Sequence, residues 1–534
     1  SECEVTVLGA IRHSDQVVAP NRPRRRGHSS PHGQFFTLFV VAEFLWQVVD
    51  LLQPSTARRA IDLAAGDGVL LKAGCVGGWT TQEGALGVEI DPAISEASAR
   101  EGVRMETGDG LLDGESLLRD WQADVVVGNP PFGRSRDLLT DHQRQRLATE
   151  QTAPRAIWGS KARGRDGCFT GPAGSCRVEQ LFLERALHLL RDGGLVAYIL
   201  SDGVLSNRRE QVARDWLGGQ AHLLAAIALP SSAFRRPGLN ALAHLVVLRR
   251  SDGTQPAPEA LLMERRHAGR GKLTNVLQGM LQDLRRLHEG RAVAGSDAVR
   301  GQEMLARRWD PGFWIGKKTL TRLWGDQKAA KLDDFIELLT YGPIVTGGQP
   351  MTEAAGIASI RQGDFAETGL RPTRFLRVAA DGDHDPPRSR VQPGDVLLPR
   401  SGGGALGRNR VAVYEEPDPA NIGCFVNLIR LVPGLNPYYL WIFLRSKLGW
   451  GQIRSLTNGV GTPNISFFEL RGLKIPVLGV DEQLSYEQAY KSEVGPLHRI
   501  SEENPDARGL AEVRFQRIVA QLDQRLIGAR GDQD

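Results

Sequence analysis

Apolar positions in the first half of the chain fall into short uniform runs separated by stretches of helical spacing. Ala60-Ile61-Asp62-Leu63, Ala85-Leu86-Gly87-Val88-Glu89, Asp124-Val125-Val126-Val127-Gly128 and Leu195-Val196-Ala197-Tyr198-Ile199-Leu200 are too short and too evenly apolar for amphipathic helices. Runs of this kind are expected of strands buried on both faces, as in a parallel sheet covered by helices. Between and before them, Val40-Val41-Ala42-Glu43-Phe44-Leu45 and the stretch from Val178 to Leu187 repeat with a helical period. The alternation predicts a doubly wound α/β domain over residues 33–250. From about residue 306 the texture changes to short strands, turns and glycine-rich loops, which predicts a mixed α+β domain over 306–480. Leu273, Val276, Leu277, Met280, Leu281, Leu284 and Leu287 stand at helical spacing, so residues 251–305 read as a helical linker. Residues 481–534 read as a charged helical tail that either packs back on the linker helix or pairs two chains. Residues 1–32 carry Arg22, Arg24, Arg25 and Arg26 among prolines without any period, an arm that either contacts phosphates or is simply solvated.

Length and composition narrow the class. At 534 residues the chain is too long for one ordinary domain, and its 41% hydrophobic content is enough for a buried core in each part. No apolar run approaches the length that spans a membrane, and the first residues lack a signal-peptide pattern. The five cysteines are scattered and show no paired metal spacing, so no metal site is expected. Reduced thiols in a cytoplasm are the expectation. A net charge of only +4 means that nucleic-acid binding cannot be argued from bulk charge.

Chemistry concentrates at the ends of the apolar runs. The first run leads into Ala64-Ala65-Gly66-Asp67-Gly68, a glycine turn followed by the helix-like Val69-Leu70-Leu71-Lys72. Glycines at such a turn let backbone approach a ligand at a helix N-terminus. The second run ends in Glu89, about 20 residues further on, where an acid is placed to accept from ribose hydroxyls. The third tip carries Thr107-Gly108-Asp109-Gly110. The fourth ends in Asn129-Pro130-Pro131-Phe132. Asn129 brings a carbonyl that accepts from an amino group, and the two prolines stiffen the backbone so that its carbonyls are fixed in direction. Phe132 offers a flat face on which a base stacks. Asn-Pro also opens ordinary turns, so the tetrapeptide gains its meaning from the three tips before it. No Gly-x-x-x-x-Gly-Lys-Ser/Thr pattern is present, which argues against a nucleoside triphosphatase.

These motifs, with Gly33-Gln34-Phe35-Phe36-Thr37 ahead of the first helix, resemble the N6-adenine DNA methyltransferases that use S-adenosylmethionine (AdoMet). Leu38 stands where that family's N-terminal motif has proline. The order of motifs is similar to the γ class and to the modification subunits of type I restriction systems. Leu229-Pro230-Ser231-Ser232-Ala233-Phe234 adds to the likeness. In the C-terminal half, residues 391–402, Asn436-Pro437-Tyr438-Tyr439-Leu440-Trp441 and Gly461-Thr462-Pro463-Asn464-Ile465-Ser466 resemble the target recognition domain of type I specificity subunits.

The resemblance implies a Rossmann-like AdoMet-dependent methyltransferase domain joined to a DNA-reading domain. It implies that Asp62, Gly66 and Gly68 line the methionine end of the cofactor, with Phe36 and Thr37 closing over it. Glu89 holds the ribose, Ile90 presses on the cofactor adenine and Asp109 accepts from its amino group. Asn129 and Pro130 accept the N6 hydrogens of a flipped adenine, in a loop stiffened by Pro131, and Phe132 stacks on that base. Double-stranded DNA is the expected partner, with a separately encoded restriction or defence subunit as a further one, and the chain acts as a monomer or dimer. The arginine-bearing stretch after Phe132 reads as a flap that orders against DNA. Loops 346–352 and 401–410 are candidates for base contact. Methyl transfer to cytosine N4 or RNA, and a specificity subunit that needs a partner for activity, stand as alternatives. No Pro-Asp…Glu-x-Lys nuclease pattern is evident.

Overall fold

The computed structural model describes residues 37–55, 58–117, 121–150, 156–157, 176–233, 243–251, 253, 258–263, 272–293, 296–300, 308–345, 356–402, 406–457 and 464–528. The apolar runs form the middle of one nine-stranded sheet. Its strands are β1 (Arg58–Asp62), β2 (Thr80–Glu89), β3 (Met105–Thr107), β4 (Ala123–Gly128), β5 (Leu190–Ser201), β6 (Ala221–Ala228), β7 (Ala243–Arg250), β8 (Glu259–Met263) and β9 (Ser296–Arg300). They lie in the order β3-β2-β1-β4-β5-β7-β6-β8-β9. The first five are mutually parallel, and β7 runs antiparallel between β5 and β6. This is a Rossmann-like α/β sheet, doubly wound as the alternation predicts.

Alternate residues of each strand enter opposite apolar layers, as the two-residue period of a strand requires. Ala60, Val125, Val127 and Leu195 face helices α1 (Phe39–Leu52) and α2 (Val69–Val76). Ile61, Val126 and Val196 face the opposite layer, which holds Leu181 and Leu183. Helix α3 (Pro92–Arg100) follows β2, and Asp91 caps it by accepting from Ala93 N at 2.9 Å. Helix α4 (Asp141–Thr149) precedes α5 (Val178–Leu189).

The segment expected as a helical linker differs from that reading. Its helix α6 (Leu273–His288) exists, with Leu277, Leu281, Leu284 and Leu287 buried, but strands β8 and β9 flank it and extend the sheet. Short apolar runs beside a strong helical stripe were absorbed into the helix by periodicity alone.

Helix α7 (Pro311–Trp324) joins the halves. Trp314 and Ile315, near its start, pack with the sheet core, whereas Leu323 near its end belongs to the C-terminal core. Among the described residues the C-terminal half holds ten short strands: β10 (Ala330–Lys331), β11 (Ile336–Tyr341), β12 (Ile357–Ile360), β13 (Leu376–Val378), β14 (Arg390–Val391), β15 (Val396–Pro399), β16 (Ala412–Val413), β17 (Ala420–Ile422), β18 (Val426–Leu431) and β19 (Lys474–Ile475). Eight of them make two four-stranded sheets, ordered β11-β18-β15-β16 and β13-β12-β17-β14. The last long helix, Pro505–Ile527, returns to this half, where Phe515 lies 5.1 Å from the Trp441 ring and 6.1 Å from that of Tyr490. Among the described residues no helix is long and apolar enough to cross a membrane.

Candidate active site

Parallel strands end at one edge, so their tips share a single cavity of about 680 Å³. Thr37, Asp62, Gly66, Glu89, Ile90, Asp109, Asn129 and Pro131 all line it. Pro130 is buried behind the loop and Phe132 is half-buried against the α1 and α2 layer, neither of them in the lining. Gly68 stands back from the cavity as the N-cap of α2. Phe36 lies outside the described residues, as do residues 1–32, loop 346–352 and residues 403–405.

The glycine turn takes its shape from backbone need. Gly66 and Gly68 have φ of +54° and +72°, a region that L side chains rarely occupy. A Cβ on Gly66 would meet nothing within 4 Å, and one on Gly68 would meet Val103 Cγ2 at 3.1 Å. Glu89 fastens this turn to the tip of β2. Its Oε2 accepts from Gly66 N at 2.9 Å and its Oε1 from Asp91 N at 3.0 Å. Asp62 is nearly inaccessible, and burial pushes its carboxyl up to about 7, opposed by the hydrogen bond from Ala64 N and reinforced by Glu89 and Asp67.

The tetrapeptide loop is held at both ends. Asn129 Nδ2 donates to Thr37 Oγ1 at 3.1 Å, which links the start of the first helix to the tip of β4. That contact joins residues 92 apart in sequence, and no local signal announces it. Behind Phe132, Gly133 N donates to Glu179 Oε2 at 3.2 Å and Val178 N donates to Gly133 O at 2.9 Å. Glu179 is fully buried, accepts from Ser201 Oγ at 2.6 Å and lies 3.5 Å from the Arg177 guanidinium. Burial raises its carboxyl, against the pull of Arg177 and Ser201.

Sequence reasoning missed one wall of the cavity. The stretch after Phe132, expected as a flap that orders against DNA, includes α4, and Thr140, His142, Gln143 and Arg146 line the cavity. Gln143 Nε2 donates to Asp109 Oδ2 at 2.7 Å, and Arg146 Nη2 to Asp113 Oδ1 at 2.7 Å. Asp109 Oδ1 accepts from Leu111 N and Leu112 N. The signal for α4 was the capping box Thr140-x-x-Gln143, in which each side chain meets the other residue's backbone. Lys161, Arg163 and Arg165 of the same stretch lie outside the described residues.

Residues 101–234 match the family model described as Eco57I restriction-modification methylase. Over those residues the chain is similar to methylase domains of the restriction-modification type. No curated protein matches the chain. The type IIL restriction-modification enzyme MmeI, solved in complex with DNA, is similar at 11% identity and a TM-score of 0.51, over 93% of this chain and 74% of that one. The type IIG restriction endonuclease BpuSI is similar at 13% identity and a TM-score of 0.46, over 94% and 67%. A putative class I AdoMet-dependent methyltransferase from Listeria monocytogenes is similar at 17% identity and a TM-score of 0.37, over 53% and 77%. The likeness to MmeI is one of fold, and it extends across both halves of this chain.

Proposed function

We propose that this chain transfers a methyl group from AdoMet to N6 of an adenine flipped out of duplex DNA, as the modification activity of a restriction-modification system. The observation that carries the reading is the Asn129 amide on the wall of a strand-tip cavity, its Nδ2 already committed to Thr37. The bond to Thr37 fixes the orientation of the amide, whose oxygen is of the kind that accepts a substrate N–H.

The residues present fit the cofactor. A cavity of about 680 Å³ suits a ligand of its size, Asp62 and Glu89 supply carboxylates at two strand tips, and Gly66 keeps one side free of a side chain. Asp62 and the glycine turn would hold the methionine end, Glu89 the ribose, and Ile90 and Asp109 the adenine. The cofactor supplies a methyl group already activated on a sulfonium.

The chain's own residues then bind and orient. A base stacked in a duplex cannot reach the cavity, so the target is taken out of the helix. Asn129 Oδ1 and Pro130 O accept the two N6 hydrogens. This draws the nitrogen lone pair out of ring conjugation and makes a strong general base unnecessary. The N6 proton leaves to solvent after transfer. Phe132, half-buried behind the loop, would stack on the base once it enters. Thr37 and Glu179 fix the loop from either end, which keeps the reacting nitrogen within the narrow range that transfer demands.

Asn129→Ala tests this assignment. AdoMet affinity, measured by calorimetry, is expected to stay within about threefold, while single-turnover transfer falls by roughly a thousandfold, as when a preorganised polar contact is removed. A proportional loss of binding and transfer would assign Asn129 to the cofactor instead.

A further inference from the structure

The wall at the Asp109 end of the cavity is assembled by hydrogen bonds more than by packing. Helix α4 buries one side chain, Leu147, and a helix of nine residues does not hold its shape in water unaided. Two contacts dock it on the loop after β3: Gln143 Nε2 to Asp109 Oδ2 and Arg146 Nη2 to Asp113 Oδ1, both at 2.7 Å. The Gln143 amide is fixed at its other end as well. Its Oε1 accepts from Thr140 N at 2.9 Å and from the Thr140 hydroxyl at 3.1 Å. A backbone N–H can only donate, so the nitrogen is the end that meets the carboxylate.

An amide nitrogen carries two hydrogens, and Asp109 takes one of them. Among the described residues the second meets no acceptor, and Gln143 lines the cavity. The carboxylate is arranged to match. Asp109 Oδ1 is taken by Leu111 N and Leu112 N, at 3.0 and 3.2 Å, while Oδ2 keeps a lone pair beyond the one that Gln143 uses. Asp109 N donates to Asp113 Oδ2 at 3.1 Å, which ties the two acids of this loop together. An acceptor and a donor thus stand side by side on the cavity wall, 2.7 Å apart.

We propose that this pair reads the base of the cofactor, with Asp109 Oδ2 accepting from an exocyclic amino group and Gln143 Nε2 donating to the ring nitrogen beside it. The proposal rests on AdoMet as the methyl donor and makes Gln143 a specificity-determining residue of that reaction. Adenine carries an acceptor nitrogen on each side of its C6 amino group, so it fits the pair. Hypoxanthine and guanine carry a carbonyl oxygen at C6, which sets two acceptors against each other at Asp109 Oδ2. A polar pair left unmet in this way rejects a ligand more strongly than a lost apolar contact does.

The test measures, by calorimetry on the full chain, the binding of S-adenosylhomocysteine, its inosine counterpart, and its 1-deaza and 7-deaza counterparts, which each lack one ring nitrogen. The wild type is expected to bind the adenine form roughly a hundredfold more tightly than the inosine form, and one deaza form about tenfold more weakly. Gln143→Ala should lose about tenfold on the adenine form and nothing further on that deaza form, because the partner of the missing nitrogen is already gone. Gln143→Glu keeps the acceptor that caps α4 and removes the donor, so it is expected to bind at least as weakly as Gln143→Ala. Equal weakening of all four ligands in both variants, or wild-type affinity in Gln143→Glu, would make Gln143 a helix cap alone and overturn the proposal. A wild type that binds the adenine form and both deaza forms alike overturns it without any variant. If the wild type binds none of the four, the AdoMet reading itself fails, and this proposal with it.

Discussion

At the scale of single residues, Asp62 ties the site to pH. Its carboxyl lies at about 7 in the fold against an ordinary 3.8, because burial disfavours the charged form. Between about pH 4 and pH 7 the folded protein therefore holds a proton that the unfolded chain has lost. This group's contribution to stability falls as pH rises through that window. A cationic sulfonium beside it favours the ionised form, so cofactor binding expels the proton below about pH 7. AdoMet affinity should rise as pH climbs toward about 7, by up to roughly tenfold per unit, and level off above. Calorimetric titration across that range checks it, and Asp62→Asn should flatten the profile. A wild-type affinity that does not change with pH would separate Asp62 from the cofactor.

At the scale of elements, helix α5 acts as a clamp on the tetrapeptide loop. Glu179 enters through the first turn of α5 and holds Gly133 N, the Ser201 hydroxyl and the Arg177 guanidinium together. Glu179→Gln turns one acceptor into a donor within that buried set and leaves a partner unmet, a cost of about 1–3 kcal/mol. Unfolding in denaturant should register that loss. Turnover should fall by about tenfold while AdoMet affinity holds, because the loop shifts and the cofactor pocket does not. Equal losses in both would make the clamp merely structural.

The same elements show what the chain reveals in advance. The tips that carry Asp62, Glu89 and Asn129 were legible because a buried parallel strand leaves an apolar run with its polar residues at or just past the end, whereas the short, half-exposed Met105–Thr107 strand before Asp109 has no such run. Their convergence followed from the doubly wound order. Helix α4 was not legible by periodicity, since Leu147 is its one buried residue and charge dominates the rest. Nor was the Thr37–Asn129 bond, which exists only once the first helix folds over the sheet. Strands β8 and β9 were hidden beside the stronger stripe of α6.

At the scale of the whole molecule, the two halves meet at a buried ionic junction. Arg308 donates to both carboxylate oxygens of Asp310, at 2.7 and 2.8 Å, and reaches Ser455 O of the C-terminal half at 3.4 Å. Asp310 Oδ2 also accepts from Phe313 N and so caps α7, the helix whose ends enter both cores. Close by, burial raises Asp202 and lowers His244, and Asp310 acts on both. Asp310→Asn removes the charge opposite Arg308 and is expected to destabilise the chain by about 3 kcal/mol. Thermal unfolding should then resolve two transitions, with AdoMet affinity unchanged, if the junction couples the halves. One transition at the wild-type temperature would mean that the pair contributes nothing.

That coupling matters if, as the two resemblances imply, one half performs the chemistry and the other chooses the site. The identity of the product tests the proposed methyl transfer most directly. The purified chain is incubated with methyl-labelled AdoMet and duplex DNA, and the digested nucleosides are separated. Label in N6-methyladenine is the expected result. Label confined to N4-methylcytosine, or appearing only when RNA replaces DNA, would contradict it.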